Sequence, residues 1–362
     1  MQPNRSVSAD KTNSDPTYPK RSRKRFLMIQ GVVLAAGIGL LVYLLYSLGF
    51  GTIVDTVTRV GWGFFLIVAI NGARHFVRAV CIYLAIHEDH RAVSYRNVLA
   101  ARLAGEAVNL MTFAGPFLGD ATKIALLQRK QTLSHSAAAV IVDDILYYIT
   151  VGLMILSGVG LLALTVGEFD NAMRYALAIV VGLVLMVIVG LALAVKFDVK
   201  PVSFVLKRLD RKGLLPRPIA SKREHILDIE TSVFDVYFQR PGTFYSLLLI
   251  GMFTHVLSVF EVYIALSLLG FVPTVTNAYI IESLTKVINF AFSFVPGTVG
   301  VYEGGNALFL NILGYSTAVG VALAIVRRGA ILFWVAVGVI VLIYRTALRS
   351  KRLLAEQLPE KS

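Results

Sequence analysis

Several charged side chains of this 362-residue chain sit inside long apolar runs, where water does not reach. Arg74 and Arg78 lie in one run with His75 beside them; at i and i+4 they share a helical face. Asp143 and Asp144 lie early in a second run, Glu261 in a third, and Arg327 and Arg328 in a fourth. A charge at mid-bilayer costs roughly 2.5–3.5 kcal/mol on insertion scales, so such groups are either paired or functional. Two readings are open. The acidic and basic pairs neutralise one another, or they line a central polar cavity that accepts an anionic group.

Two further stretches carry polar residues around a Pro/Gly break. Asn97 to Lys130 contains Arg102, Glu106, Asn109, Pro116, Gly119, Asp120 and Lys123. Tyr279 to Leu313 contains Glu282, Lys286, Asn289, Pro296, Gly297, Gly300 and Glu303. Each reads as a helix, a break and a short second helix, Ala121 to Lys130 or Tyr302 to Leu313. Those short helices reach under roughly 20 Å, less than a hydrocarbon core about 30 Å thick. Both stretches are therefore expected to be re-entrant helical hairpins. A helix starting after Pro116 and another after Pro296 would point N-terminal amides into the protein, where they favour anions. Lys123 adds a cation one turn on, and Gly297 and Gly300 allow close backbone approach.

The hairpins resemble each other. The Asn-to-Pro spacing is the same in both, 109 to 116 and 289 to 296. Arg102 and Glu106 precede the first Asn at the offsets where Glu282 and Lys286 precede the second, with the signs exchanged. The runs that follow carry Asp143–Asp144 and Arg327–Arg328, again of opposite sign. An inverted repeat is expected, residues 62–166 and 243–348, of the kind seen with broken helices in secondary transporters.

The elements that must position these residues are membrane spans. The chain is 56% hydrophobic and only 16% charged, against roughly 25% charged in a soluble domain. Six spans are expected: Phe26 to Phe50, Trp62 to Ile86, Ser136 to Val166, Ala172 to Val195, Thr243 to Gly270 and Ala318 to Leu348. With two hairpins they make an all-α polytopic membrane helix bundle spanning 26–348. Residues 1–25 read as a disordered tail and 349–362 as a second tail. The net charge of +13 falls mostly in Lys20 to Arg25, in the 196–242 loop and in Arg349 to Arg352. All three fall on one side, so both termini and the basic loop are placed in the cytoplasm of a cell (inner or plasma) membrane. These loops are expected to meet anionic phospholipid head groups rather than nucleic acid. Val202 to Leu206 and Ile226 to Phe238 look amphipathic and are expected to lie along the interface.

Other chemistries find little support. The single cysteine, Cys81, rules out a disulfide framework and reads as a packed hydrophobe. His87 and His90 have metal-like spacing but lack a ligand cluster, so no metal is expected. There is no phosphate-binding G-x-x-x-x-G-K-[ST] loop and no G-x-S-x-G elbow, so neither an enzyme activity nor a cofactor is expected.

AGPFLGDATKIALLQRK (Ala114 to Lys130) and FVPGTVGVYEGGNALFL (Phe294 to Leu310) resemble the two signature segments of the lysylphosphatidylglycerol synthase transmembrane-region family, also called flippase-like domain proteins. The resemblance runs from about Trp62 to Tyr344. It implies a role with membrane lipids, since some members translocate aminoacylated phosphatidylglycerol and others are linked to hopanoid and glycolipid pathways. In the first segment the usual Pro-Gly is Pro116-Phe117, the acid is Asp120 and the cation Lys123, a point charge rather than a bidentate Arg. No soluble aminoacyl-transfer domain follows, so lipid charging is not expected. The expected function is a lipid transporter that binds and translocates a polar or anionic head group. The alternative is a non-transporting lipid-binding partner of a separate lipid-modifying synthase or glycosyltransferase, docked on the basic loop.

Overall fold

The structure is a computed structural model that describes residues 51, 55, 58–86, 92–112, 114–197, 199–214, 223–293 and 295–357. Among these it contains eleven α-helices and no strand. In chain order they are α1 (Gly63–Ala85), α2 (Tyr95–Met111), α3 (Gly115–Leu127), α4 (Leu133–Val166), α5 (Asn171–Lys196) and α6 (Pro201–Arg211). There follow α7 (Arg223–Phe238), α8 (Pro241–Leu268), α9 (Val275–Ala291), α10 (Val301–Ile312) and α11 (Thr317–Gln357). Five of them, α1, α4, α5, α8 and α11, are long and apolar enough to cross a membrane. The expected span Phe26 to Phe50, the N-terminal tail and the His87–His90 turn lie outside the described residues.

The local chemistry sets the helix boundaries. Thr132 accepts from the His135 amide and Thr274 from the Asn277 amide, which caps α4 and α9. Pro116, Pro201 and Pro241 occupy first-turn positions, where a missing N–H costs nothing. That preference moves the expected start of the second helix in the first hairpin. It begins at Gly115 instead of Ala121, so Pro116 opens the helix rather than preceding it. The helix after Pro296 starts at Val301, one residue from expectation, because Pro296–Thr298 forms a separate 3₁₀ turn. The last helix runs on to Gln357, past the expected end at Leu348; nothing in its sequence after Thr346 breaks a helix.

The two hairpins, α2–α3 and α9–α10, dock on α11 at different heights. A Cβ on Gly320 would collide with the Ala307 backbone of α10, and one on Gly338 with the Leu103 carbonyl of α2. The step from 320 to 338 is about 27 Å of helix. The hairpin bases lie at opposite ends of the bundle. Arg345 of α11 donates to Asn97 at the base of the first (2.8 Å), while Tyr315, just before α11, accepts from Asn277 at the base of the second (3.3 Å). Arg240 likewise ties the start of α8 to the Ala85 carbonyl at the end of α1 (2.8 Å). Within the first hairpin the arms cross at Gly105 and Gly119, each facing the other's carbonyl. The α5 helix touches mainly α4, against which Leu177, Val180, Val181 and Val184 are partly buried, and has no fully buried residue over its apolar length.

The segment after α5 is ordered by a buried carboxylate. Glu230 of α7 accepts from the Val202 amide (2.8 Å), the Ser203 amide (2.9 Å) and the Ser203 hydroxyl, capping α6 from a neighbouring helix. The α7 helix in turn packs on α4.

The tight crossings should be felt on substitution. Gly338→Val drives a side chain into the Leu103 carbonyl and should cost about 1–3 kcal/mol. Gly182→Val on α5, with nothing within 4 Å of its Cβ position, should leave the thermal midpoint unchanged. Thermal unfolding of both variants in detergent checks the contrast.

Candidate functional site

The intramembrane charges meet at two junctions of three helices each. In the first, Arg78 of α1 donates to Asp143 of α4 at 2.6 Å, and Arg102 of α2 approaches the same carboxylate at 3.5 Å. In the second, Arg327 of α11 donates to Glu261 of α8 at 3.1 Å and to Glu282 of α9 at 2.6 Å. Each junction ties together the helix before a hairpin, the hairpin's first arm and the helix after it. The signs are exchanged: one carboxylate between two guanidiniums in the first, one guanidinium between two carboxylates in the second.

The next contacts also correspond. Arg102 pairs with Glu106 (3.3 Å) and Glu282 with Lys286 (2.7 Å), each one helical turn on. Lys123 pairs with Asp120 (2.8 Å) and reaches Glu106 at 3.7 Å. Arg328 bonds Glu303 and donates to the Gly297 carbonyl (2.7 Å), while Glu303 accepts from the Gly300 amide (2.7 Å). Arg328 therefore holds the broken segment of the second hairpin through its backbone. That segment is strained: Gly297 and Thr298 both have positive φ, +59° and +51°, and for a β-branched residue this is an outlier. One contact has no counterpart. Arg74 donates to Glu261 at 2.9 Å, with Asn71 at 3.3 Å, and so ties α1 directly to α8.

These groups surround a cavity of about 370 Å³. Both hairpin breaks open onto it, the first through Asn109, Leu110 and Pro116, the second through Asn289, Ser293 and Gly297. Arg74, Arg78, Glu282, Lys286, Arg327 and Arg328, all singled out from the sequence, line it. The remaining candidates stand behind the lining. Asp143 and Asp144 hold Arg78, the latter at 3.4 Å. Glu303 holds Arg328, Gly300 caps α10, Pro296 opens the 3₁₀ turn, Gly119 serves the arm crossing, and Asp120 and Lys123 pair within the first hairpin. With Asp143 engaged by two guanidiniums, the Asp143–Asp144 pair is occupied as an ion-pair acceptor, which disfavours reading it as a divalent-metal site.

The lining also holds residues that sequence reading passed over. Tyr147 stacks beneath the Arg78 guanidinium, 3.9 Å from its ring centroid, which shields one face of the cation. Trp334 sits in the notch left by Gly72 and donates its indole N–H to the Val68 carbonyl (2.9 Å), closing the α1–α11 wall. Tyr148 and Phe290 frame the opposite side. None of these aromatics departs from the composition of an ordinary span, so no sequence signal marks them.

The electrostatic arrangement is polarised. The ion-paired groups of the two networks are seven basic and seven acidic side chains, neutral in sum. The cavity surface, however, presents six of the cations and only Glu106 and Glu282 among the carboxylates. Among the described residues that line the cavity, four guanidinium nitrogens, Arg74 Nε, Arg102 Nε and Nη1, and Arg327 Nη1, are buried without a hydrogen-bond acceptor. Buried donors in this condition are rare and costly.

The chain matches the sequence profile of the family described as lysylphosphatidylglycerol synthase TM region over residues 28–339. It belongs to that family. Comparisons with curated proteins and with solved structures found no match.

Breaking a junction should cost far more than breaking a surface pair. Arg327→Met leaves the second junction one cation short, with buried Glu261 held only by Arg74 and Asn71 and buried Glu282 only by Lys286, and should destabilise by about 3–5 kcal/mol. Arg223→Ala, which removes the exposed Arg223–Asp210 pair, should cost about 0–1 kcal/mol. Thermal midpoints of the two variants, measured side by side in one detergent, decide it.

Proposed function

We propose that this membrane protein binds the anionic head group of a lipid in the cavity between its two hairpins and carries it across the bilayer. The observation that carries the reading is a cavity whose surface presents six cations against two carboxylates, three of those cations, Arg74, Arg102 and Arg327, keeping guanidinium nitrogens without a hydrogen-bond acceptor. Phosphate oxygens accept strongly from such donors. Membership of a lipid-linked family and the two broken helices that open onto one cavity support the same reading.

The opposed hairpin bases and the sign-exchanged junctions favour taking 62–166 and 243–348 as inverted copies, with alternating exposure of the site as one copy rocks against the other. The end of the bundle that carries α6 and α7, Arg240 and Arg345 is read as cytoplasmic, on its basic residues. Movement of an anionic lipid would respond to the membrane potential, at about 2.3 kcal/mol per charge per 100 mV. No lipid chemistry is assigned to the chain: its residues bind and orient the head group.

The test is head-group exchange in proteoliposomes, read as reductant access to a fluorescent anionic phospholipid. The protein should accelerate exchange over empty vesicles. Arg102→Gln and Arg74→Gln, once shown to retain the thermal midpoint, should slow it by about tenfold or more, because a hydrogen bond to a charged group contributes roughly 1.5–3 kcal/mol. Rates equal to those of empty vesicles across several anionic head groups would overturn transport. If the same lipids still bind, the non-transporting partner of a lipid-modifying enzyme becomes the better reading.

A further inference from the structure

The wall of the cavity is not uniform. On the α1–α11 side it is shut by Trp334 seated against Gly72. On the other side two of its lining residues, Tyr148 and Phe290, are 46% and 66% exposed. Their rings meet edge to face at 6.3 Å, across the gap between α4 and the tip of the second hairpin.

Their depth can be read from helix geometry. Tyr148 is fifteen residues from the start of α4 and eighteen from its end, hence about 22 Å and 27 Å from the two ends. Phe290 is fifteen residues from the base of α9, again about 22 Å. Both lie near the middle of the bundle's length, the depth at which a bilayer spanned by α4 places its hydrocarbon core. Phe117 and Met111 at the tip of the first hairpin are also exposed there, at 81% and 64%. A polar cavity thus opens beside an apolar rim at mid-depth, a poor entrance for a water-borne anion.

We propose that the cavity is loaded sideways: a phospholipid passes its phosphate head group through a mouth framed by Tyr148 and Phe290 while its acyl chains stay in the bilayer. The proposal rests on the head-group reading above and adds the route by which the head group enters. A free phosphate presents the same oxygens to the same guanidiniums, so the two sources must be separated by experiment.

The chain has two tryptophans. Trp62→Phe leaves Trp334, a cavity-lining residue, as the only one. In that background, with Cys81→Ala, Tyr148→Cys and Phe290→Cys are joined by a short bis-methanethiosulfonate and released by reductant. Trp334 emission is followed in nanodiscs with a phospholipid that carries a nitroxide on its anionic head group, and separately with water-soluble TEMPO phosphate. The expected result is quenching by the lipid probe that the crosslink removes and reductant restores, with TEMPO phosphate the weaker quencher at equal concentration.

Lipid quenching undiminished by the crosslink overturns the route. Quenching by TEMPO phosphate that equals the lipid's and ignores the crosslink overturns the lipid origin. No quenching by either probe overturns the anion-binding reading itself. As a check that needs no crosslink, Phe290→Ala widens the mouth and should speed the onset of quenching by the lipid probe alone; an unchanged onset also counts against the route.

Discussion

A charge cannot remain alone in hydrocarbon, and the architecture follows from that constraint. Removing a carboxylate or guanidinium from water costs several kcal/mol even after relaxation. Glu261 and Glu282 are wholly buried, and Arg327 and Arg102 are 3% exposed. Each is tolerable only where a partner of opposite charge from another helix arrives at ion-pairing distance. Helix α11 must therefore set Arg327 between α8 and α9, and α4 must set Asp143 between α1 and α2. The ion pairs add little net stability over an apolar core of equal volume. What they contribute is a penalty on every arrangement in which they are separated, which fixes which helices meet and at what height.

The broken helices meet a second constraint. Irregular backbone inside a membrane survives only where it is buried in protein or lines a polar cavity. Here both breaks line the same cavity, and the carbonyls freed at the second are taken up by Arg328. The positive φ at Thr298 is held by that grip, so a strained loop and a catalogue of cations are parts of one arrangement. Glycines finish the design. Gly105 and Gly119 let the arms of the first hairpin touch backbone to backbone, and Gly320 and Gly338 let both hairpins lie close against α11. Small residues matter more here than in a soluble bundle, since lipid tails compete with any apolar contact.

Much of this was legible in the sequence, and the reason differs from element to element. Span boundaries follow from apolar run length, which the bilayer thickness fixes. The hairpins showed because Pro116 and Pro296 interrupt runs too short to cross twice. The charged residues stood out because hydrocarbon makes each one conspicuous. Their pairing was less legible. Opposite signs at matching offsets hinted at an acidic pair facing the basic one, yet Arg78 goes to Asp143 and Arg327 to Glu261 and Glu282, each within its own half. Sequence offset records which residues correspond, whereas partnership depends on which helices adjoin. The start of α3 at Gly115 was missed because a proline was taken to precede a helix when it more readily opens one. Tyr147, Tyr148, Phe290 and Trp334 were missed because aromatics are ordinary in spans, and only their position against the cavity distinguishes them.

The balance of charge bears on what kind of binding the cavity can support. A site with a large uncompensated positive charge would hold an anion tightly in a low dielectric and release it slowly. In this protein the carboxylates behind the lining, Asp143, Asp144, Glu261 and Glu303, offset the cations in front of them. On the proposed reading, an incoming phosphate would gain hydrogen bonds from the lining arginines but meet a network already neutral. Its binding energy is then set by a few donors and their geometry rather than by net field. Passage through any selective site needs binding strong enough to admit the ligand and weak enough to let it go. A neutral network with cations turned inward is suited to both demands of the proposed transport, and it keeps every buried ion paired when the cavity is empty.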